Sequence, residues 1–197
     1  MDRVAGLLLA VAAAAALAGC GAYLNRDMTP LAGAAREGQA DRIRLLVKDG
    51  ADPDQPCGVN HWTPLMHAIH KHRPESVRAL IEAGADINAR GGRDGSTALM
   101  MAAGYGYTDI VNLLLDRGAD AHVQLSDGTN ALSLAILGVP DIDRFTVGDC
   151  QISTIRTLVE RVPDLRLKDS SKIQRALESA KVKGCAGVAM LTGEKIR

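Results

Sequence analysis

One pattern of about 34 residues repeats along this chain and constrains its fold more than any other feature. In the most regular copy, residues 97–120, apolar residues recur at spacings of three and four on both sides of Gly106. This spacing predicts two short amphipathic helices. Gly118 follows the second helix, where a left-handed helix end suits glycine because no Cβ strains it. Helices this short bury too little apolar surface alone, so the copies must stack side by side.

Further copies lie in phase on both sides of this stretch. Thr63-Pro64-Leu65 and Gly84-Ala85-Asp86 come 34 residues earlier, Thr29-Pro30-Leu31 and Gly50-Ala51-Asp52 another 34 earlier, and Asn130-Ala131-Leu132 33 residues later. A fifth, lysine-rich copy places Ala176, Leu177, Ala180 and Gly184 in the same pattern. Its polar surface is typical of a terminal cap.

The repeated pattern strongly resembles the ankyrin repeat, T-P-L-H-x-A-A-x-x-G, then an I-V-x-x-L-L helix, then G-A-D-x-N. The resemblance covers nearly everything from Thr29 onward. It implies an all-α ankyrin-repeat solenoid of about five repeats, the last two degenerate, with helix pairs joined by β-hairpin fingers. We assign the repeats to about residues 29–62, 63–96, 97–129, 130–168 and 169–197, all in one domain.

Repeat four carries an insertion at residues 138–150 that the family pattern does not explain. Val139, Ile142, Phe145 and Val147 make it too apolar for a merely solvated loop. Two interpretations stay open: the insertion packs on the flank of repeats four and five, or it extends the binding surface. Deleting it should lower stability in the first case and only partner affinity in the second.

Residues 1–19 predict a bacterial lipoprotein signal peptide. The uncharged run from Val4 to Ala18 is shorter than the roughly twenty residues that span a membrane. It ends in Leu17-Ala18-Gly19-Cys20, which is similar to the lipobox, so Cys20 is the predicted lipidation site, carrying palmitate-type chains. Residues 20–28 would be the tether. By analogy with the sorting of lipoproteins, Gly21 instead of aspartate after the cysteine favours the periplasmic face of the outer membrane over the inner membrane. The alternatives are an uncleaved anchor, or ordinary cleavage beside an unmodified cysteine.

Charge and motif content exclude several classes of function. The net charge is zero and no basic run occurs, so nucleic acid is not an expected partner. Four of the five histidines, His61, His67, His70 and His72, fall within twelve residues. His67 and His70 are three apart on a helix and could face one metal, but we favour turn and surface histidines. The sequence therefore predicts no enzyme, no cofactor and no metal.

The cysteines pose a separate question. In the repeat alignment Cys150 and Cys185 sit near the start of second helices in consecutive repeats. Stacked repeats stand about 10 Å apart, beyond the roughly 7 Å between Cα atoms that a disulfide allows. The insertion could let the two cysteines approach each other, and the periplasm is oxidising. A Cys150–Cys185 disulfide and two free thiols therefore both stay possible interpretations. Cys57 is expected alone at a finger tip.

The resemblance implies a protein-binding surface on the concave face made by the finger tips and first helices. Carried over position by position, the partner-binding residues are Val59, Asn60, Trp62, His70 and Lys71 in repeat two, Arg93, Asp94, Ser96, Gly104 and Tyr105 in repeat three, and Ser126, Asp127 and Thr129 in repeat four. Exposed Trp62 and Tyr105 are the expected hot spots. The alternative for Trp62 is that it packs over the finger base.

These observations predict a monomeric, lipid-anchored, periplasm-facing module that binds a protein of unknown identity. One alternative is an immunity-type inhibitor of a toxic effector or envelope enzyme. Another is an accessory factor for an envelope enzyme such as catalase, a role that the resemblance to exported bacterial ankyrin proteins implies. A metal-binding protein built on the histidine cluster is the least favoured reading.

Overall fold

The computed structural model describes residues 28–138, 151–167, 173–175 and 177–178. The helices are α1 (Pro30–Glu37), α2 (Ala40–Lys48), α3 (Pro64–His70), α4 (Pro74–Glu82), α5 (Ala98–Tyr105), α6 (Thr108–Asp116), α7 (Ala131–Leu137) and α8 (Ile152–Arg161). Residues 173–175 and 177–178 are helical again. The predicted signal peptide with Cys20, the insertion beyond Gly138, Cys150 and Cys185 all lie outside the described residues.

The helices form two layers. The first helices of the repeats pack in order, α1 on α3, α3 on α5 and α5 on α7, and the second helices α2, α4, α6 and α8 do the same. Each first helix also packs on the second helix of its own repeat. Leu65, Leu99 and Leu132, which open the first helices of repeats two to four, are at most 1% exposed and belong to one core. The predicted all-α solenoid is confirmed.

Side-chain caps start the first helices at equivalent positions. The hydroxyls of Thr29, Thr63 and Thr97 accept hydrogen bonds from backbone N–H groups three residues later, at 3.2 to 3.3 Å. In repeat four Asn130 takes this position, and its Oδ1 accepts from the N–H of Ser133 at 3.0 Å. The T-P-L signature therefore marks a helix start that each repeat fixes for itself.

Asn130 does more than its threonine counterparts, because its amide also joins two repeats. The side chain is fully buried, and its Nδ2 donates to the carbonyl oxygen of Arg166 at 2.6 Å. Asn130→Thr keeps the cap and loses this bond, so we expect the free energy of unfolding to fall by about 1–2 kcal/mol. Urea unfolding measures the loss, with Thr97→Ser as the control at an equivalent cap. Wild-type stability in Asn130→Thr would show that the bond to Arg166 contributes nothing.

The predicted β-hairpin fingers do not form strands in the described part of the chain. Their antiparallel pairing is reduced to single bridges, Cys57 with Trp62 and Gly91 with Ser96. Each bridge closes a tip of four residues. The tips instead bond to one another: the N–H of Gly92 donates to the carbonyl of His61 at 2.8 Å. Neighbouring fingers are therefore held in one row.

Candidate functional site

A row of aromatic rings crosses repeats two and three at the ends of their first helices. We call it the ring strip; its members in spatial order are Trp62, His70, Tyr105, Tyr107 and His72. Successive ring centroids are 5.0, 5.9, 5.3 and 4.2 Å apart. Trp62 closes the finger before α3, His70 and Tyr105 are the last residues of α3 and α5, and the other two lie in the turns that follow.

Polar contacts hold the rings of the strip in place. The Nδ1 of His70 lies 2.9 Å from the hydroxyl of Tyr105, and Nε2 of His72 lies 3.0 Å from the carboxylate of Asp109. The ring of Tyr107 stacks between those of Tyr105 and His72. Because each ring is fixed by its neighbours, little side-chain freedom is left to lose when a partner binds.

The expectation that Tyr105 is exposed is wrong. Its ring is only 5% exposed, because it packs among the core residues and between its neighbours in the strip. Tyr107, which the sequence reasoning missed, is half-buried and carries the accessible tyrosine surface. Trp62 is half-buried as well, with its ring edge-on to His67 at 5.5 Å. Packing over the finger base thus covers part of the Trp62 ring, and the rest of the ring stays accessible to solvent.

Two histidines of repeat two adopt left-handed backbone conformations. His61 has φ of 53° and His72 has φ of 50°. The equivalent residues of neighbouring repeats are glycines, such as Gly95 at 75° and Gly106 at 72°. A side chain in this region costs about 1–2 kcal/mol. Such strain is found mainly at functional sites. In repeat two it occurs at both ends of the strip, at His61 beside Trp62 and at His72.

Replacing His61 by glycine should therefore stabilise the protein. We expect a gain of about 0.5–1 kcal/mol, because relief of the left-handed strain exceeds the extra backbone entropy that glycine loses on folding. The matched control is Asn60→Gly at the neighbouring residue, which has no left-handed φ and should lose stability. Urea midpoints of both variants test this. Equal losses in the two would mean that the His61 side chain supports the fold.

The other predicted contact residues divide into accessible and buried groups. Val59, Asn60, Arg93, Asp94, Ser126 and Asp127 are exposed, Lys71 and Thr129 are half-buried, and Ser96 and Gly104 are buried. Three of the exposed side chains are engaged within or between the fingers. Arg93 donates to the carbonyl of Val59 at 3.1 Å, Asp94 accepts from the hydroxyl of Ser96 at 2.7 Å, and Asp127 accepts from the N–H of Thr129 at 2.8 Å. Their role in binding a partner stays a prediction.

The histidines do not gather around one point. His61 is on a finger tip, His72 faces Asp109, and His67 is 4% exposed beneath Trp62. Among the described residues no three or more His, Cys, Asp or Glu side chains are placed to hold a metal ion. The histidine metal site, which the sequence analysis held to be the least favoured alternative, is therefore not supported in that part of the chain.

Burial sets the charge state of His67. It lowers the pKa of the imidazole from 6.5 to about 4, and electrostatic interactions with Arg36 and His70 act in the same direction. The hydrogen bond to the carbonyl of Cys57 opposes the shift without cancelling it. The ring is consequently neutral at pH 7, and its Nδ1 has no hydrogen-bond partner among the described residues.

Cys57 is a free cysteine, but its expected position at a finger tip is wrong. Its backbone pairs with Trp62 at the base of the finger, which turns the side chain inward and leaves it 6% exposed. Its sulfur lies 3.6 Å from Nε2 of His67 and 3.9 Å from the sulfur of Met28.

Comparison with known families agrees with this architecture. Residues 7–91 match a family model described as ankyrin repeats in three copies, and residues 90–135 match one described as ankyrin repeats in many copies. The chain belongs to the ankyrin-repeat family. Ankyrin repeats generally mediate protein–protein interaction and are typically not enzymes.

The first match of this ankyrin-repeat protein begins at residue 7, within the stretch that the sequence assigns to a signal peptide. A search of curated proteins finds no match. In the described part of the chain, no helix has both the length and the apolar character needed to cross a membrane.

Proposed function

We propose that this ankyrin-repeat protein is a lipid-anchored, periplasm-facing module that docks one protein partner on the ring strip and the finger tips beside it. The observation that carries the docking role is the strain in repeat two. His61 and His72 hold left-handed conformations where glycine is the ordinary residue; His61 directly precedes Trp62, and His72 is the last ring of the strip. Backbone strain of this kind is found mainly at functional sites, so it supports a binding role for this face.

The composition of this face suits a protein partner. Half-buried Trp62 and Tyr107 offer large ring surfaces that the strip already orients, and aromatic rings of this kind dominate interface energies. Val59, beside them on the finger of repeat two, is 70% exposed. An apolar centre with polar finger tips around it is the ordinary layout of a specific interface.

The anchoring part of the proposal depends on the sequence. Lipid on Cys20 would leave residues 21–28 as a tether, at most about 30 Å long at about 3.5 Å per residue, so the solenoid would lie close to the membrane. Cys20→Ser should abolish palmitate labelling and remove the protein from the outer-membrane fraction. Retention of the variant in the outer-membrane fraction would contradict lipid anchoring while leaving the docking role untouched.

A matched pair of variants tests the docking face. Val59 and Leu45 are both exposed aliphatic residues, at 70% and 56%, but Leu45 lies on α2 in the second-helix layer. Crosslinking in the native envelope identifies the partner, and titration then gives its Kd. We expect Val59→Asp to weaken binding about tenfold, equivalent to about 1.4 kcal/mol, and Leu45→Asp to leave it unchanged. Equal effects of the two variants would place docking elsewhere.

The partner's own activity separates three roles for the same face. Inhibition of the partner by the purified protein would identify an immunity-type inhibitor. Increased activity of an envelope enzyme such as catalase would identify an accessory factor. Unchanged activity would leave a scaffold that only brings partners together.

A further inference from the structure

Two soft sulfur donors and one imidazole nitrogen lie close together beneath the finger of repeat two. The sulfur of Cys57 lies 3.6 Å from Nε2 of His67 and 3.9 Å from the thioether sulfur of Met28. Cys57 and His67 are 6% and 4% exposed, and Met28 is half-buried at the outer side. The cluster is thus shielded from water except at the methionine.

Three separate elements bring these donors together. Met28 precedes the helix of repeat one, Cys57 is fixed at the base of the finger by its bridge to Trp62, and His67 projects from α3. Gly58 follows Cys57 with φ of 72°. A Cβ there would lie 3.4 Å from the sulfur of Met28 and 3.8 Å from Nε2 of His67. The glycine therefore keeps the space between these two donors free of side-chain atoms.

The two separations between the Cys57 sulfur and the other donors match those of a trigonal metal centre. Bond lengths of about 2.0 Å to nitrogen and about 2.3 Å to sulfur, as in zinc sites, put trigonal ligands about 3.7 Å (N to S) and about 4.0 Å (S to S) apart. The two separations here are 3.6 and 3.9 Å. Nε2 of His67 would exchange only a long, 3.5 Å contact with the carbonyl of Cys57 for a coordinate bond.

We propose that Cys57, His67 and Met28 form a binding site for a single Cu(I) ion. Thiolate, thioether and imidazole together select a soft monovalent metal over Mg²⁺ or Ca²⁺, which prefer oxygen. On binding, the thiol of Cys57 releases its proton and its sulfur bonds to the metal; the oxidation state of copper does not change. This site shares only His67 with the histidine cluster, and it differs from that cluster in its sulfur donors.

Charge favours Cu(I) over Zn(II) in this pocket. A thiolate with Cu(I) has no net charge, whereas the same donors with Zn(II) leave one positive charge in a buried place. Uncompensated buried charge is costly. Structural zinc sites also take four ligands, and the described residues hold no set of three His, Cys, Asp or Glu side chains that could supply them.

The test is Cu(I) titration of the full chain under anaerobic, reducing conditions against a competing Cu(I) chelator. Cys20, Cys150 and Cys185 are replaced by serine so that Cys57 is the only thiol. We expect one Cu(I) per chain, loss of binding in Cys57→Ser and His67→Gln, and about tenfold weaker binding in Met28→Leu. Met101→Leu, a buried methionine of α5, is the matched control and should bind as the parent does.

X-ray absorption supplies a second readout, with two sulfur ligands and one nitrogen ligand expected at copper. Cu(I) should also raise the melting temperature of the parent and not that of Cys57→Ser, since a ligand stabilises only the state that binds it. The proposal is overturned if the parent binds no Cu(I), if Cys57→Ser keeps the parent affinity, or if Met28→Leu and Met101→Leu behave alike. None of these outcomes bears on the docking face, which is tested without copper.

Discussion

Replacing Leu99 by alanine should lower the free energy of unfolding by about 3–5 kcal/mol, the range for large cavities in well-packed cores. Leu99 is 1% exposed at the start of α5, which packs on α3 at one side and α7 at the other. Both neighbouring helices are held by their own repeats, so the cavity cannot collapse without moving a repeat. The loss would take a large share of the roughly 5–15 kcal/mol that stabilises ordinary domains.

Leu45→Ala provides the matched control for this change. It removes the same atoms from a residue that is 56% exposed, so we expect an effect within about 0.5 kcal/mol. Urea unfolding followed by circular dichroism gives both values. Similar losses at Leu99 and Leu45 would contradict a core shared along the stack.

Acid should destabilise the protein through His67. Its pKa is about 4 in the folded chain and 6.5 in the unfolded one. Above pH 6.5 the imidazole is neutral in both states and favours neither. Between pH 6.5 and 4 the unfolded chain takes up a proton that the folded chain resists, so stability falls as the pH falls. The full loss is about 3 kcal/mol, reached below pH 4.

The measurement is urea unfolding at pH 7, 5.5 and 4.5, with a metal chelator present. His67→Gln removes the buried imidazole and should show a clearly weaker loss than wild type over this interval. His122→Gln, at an exposed position, keeps the His67 imidazole, so its loss over this interval should be clearly larger than that of His67→Gln. Carboxylates titrate in all three proteins, so only the difference between the curves reports His67. Parallel curves for wild type and His67→Gln would contradict the shift.

The repeat architecture was predictable because its signals are local. A threonine caps each early first helix from within its own repeat, and Gly106 and Gly118 take left-handed φ values of 72° and 87°. These caps and turn glycines can be recognised in the amino-acid sequence of a single repeat. The all-α solenoid follows from them since helices so short persist only when stacked.

The site was less predictable because its contacts join residues far apart in the chain. Tyr105 looked exposed from its position in the repeat, yet His70 and Tyr107 cover its ring. Cys57 was placed at a finger tip, and a bridge to Trp62 puts it at the base. Its contact with Met28 spans 29 residues and involves a residue before the first repeat. No spacing rule within one repeat could have found it.

The two-layered packing allows the number of repeats in such a protein to change. The main helix contacts in the described part of the chain join helices of one repeat or of adjacent repeats, so none of these contacts depends on the total number of copies. Inserting or removing a whole unit between the ends would lengthen or shorten the row of fingers while every surviving interface stays as it was. Evolution can therefore adjust the reach of this surface by gene duplication, one unit at a time, without designing a new interior.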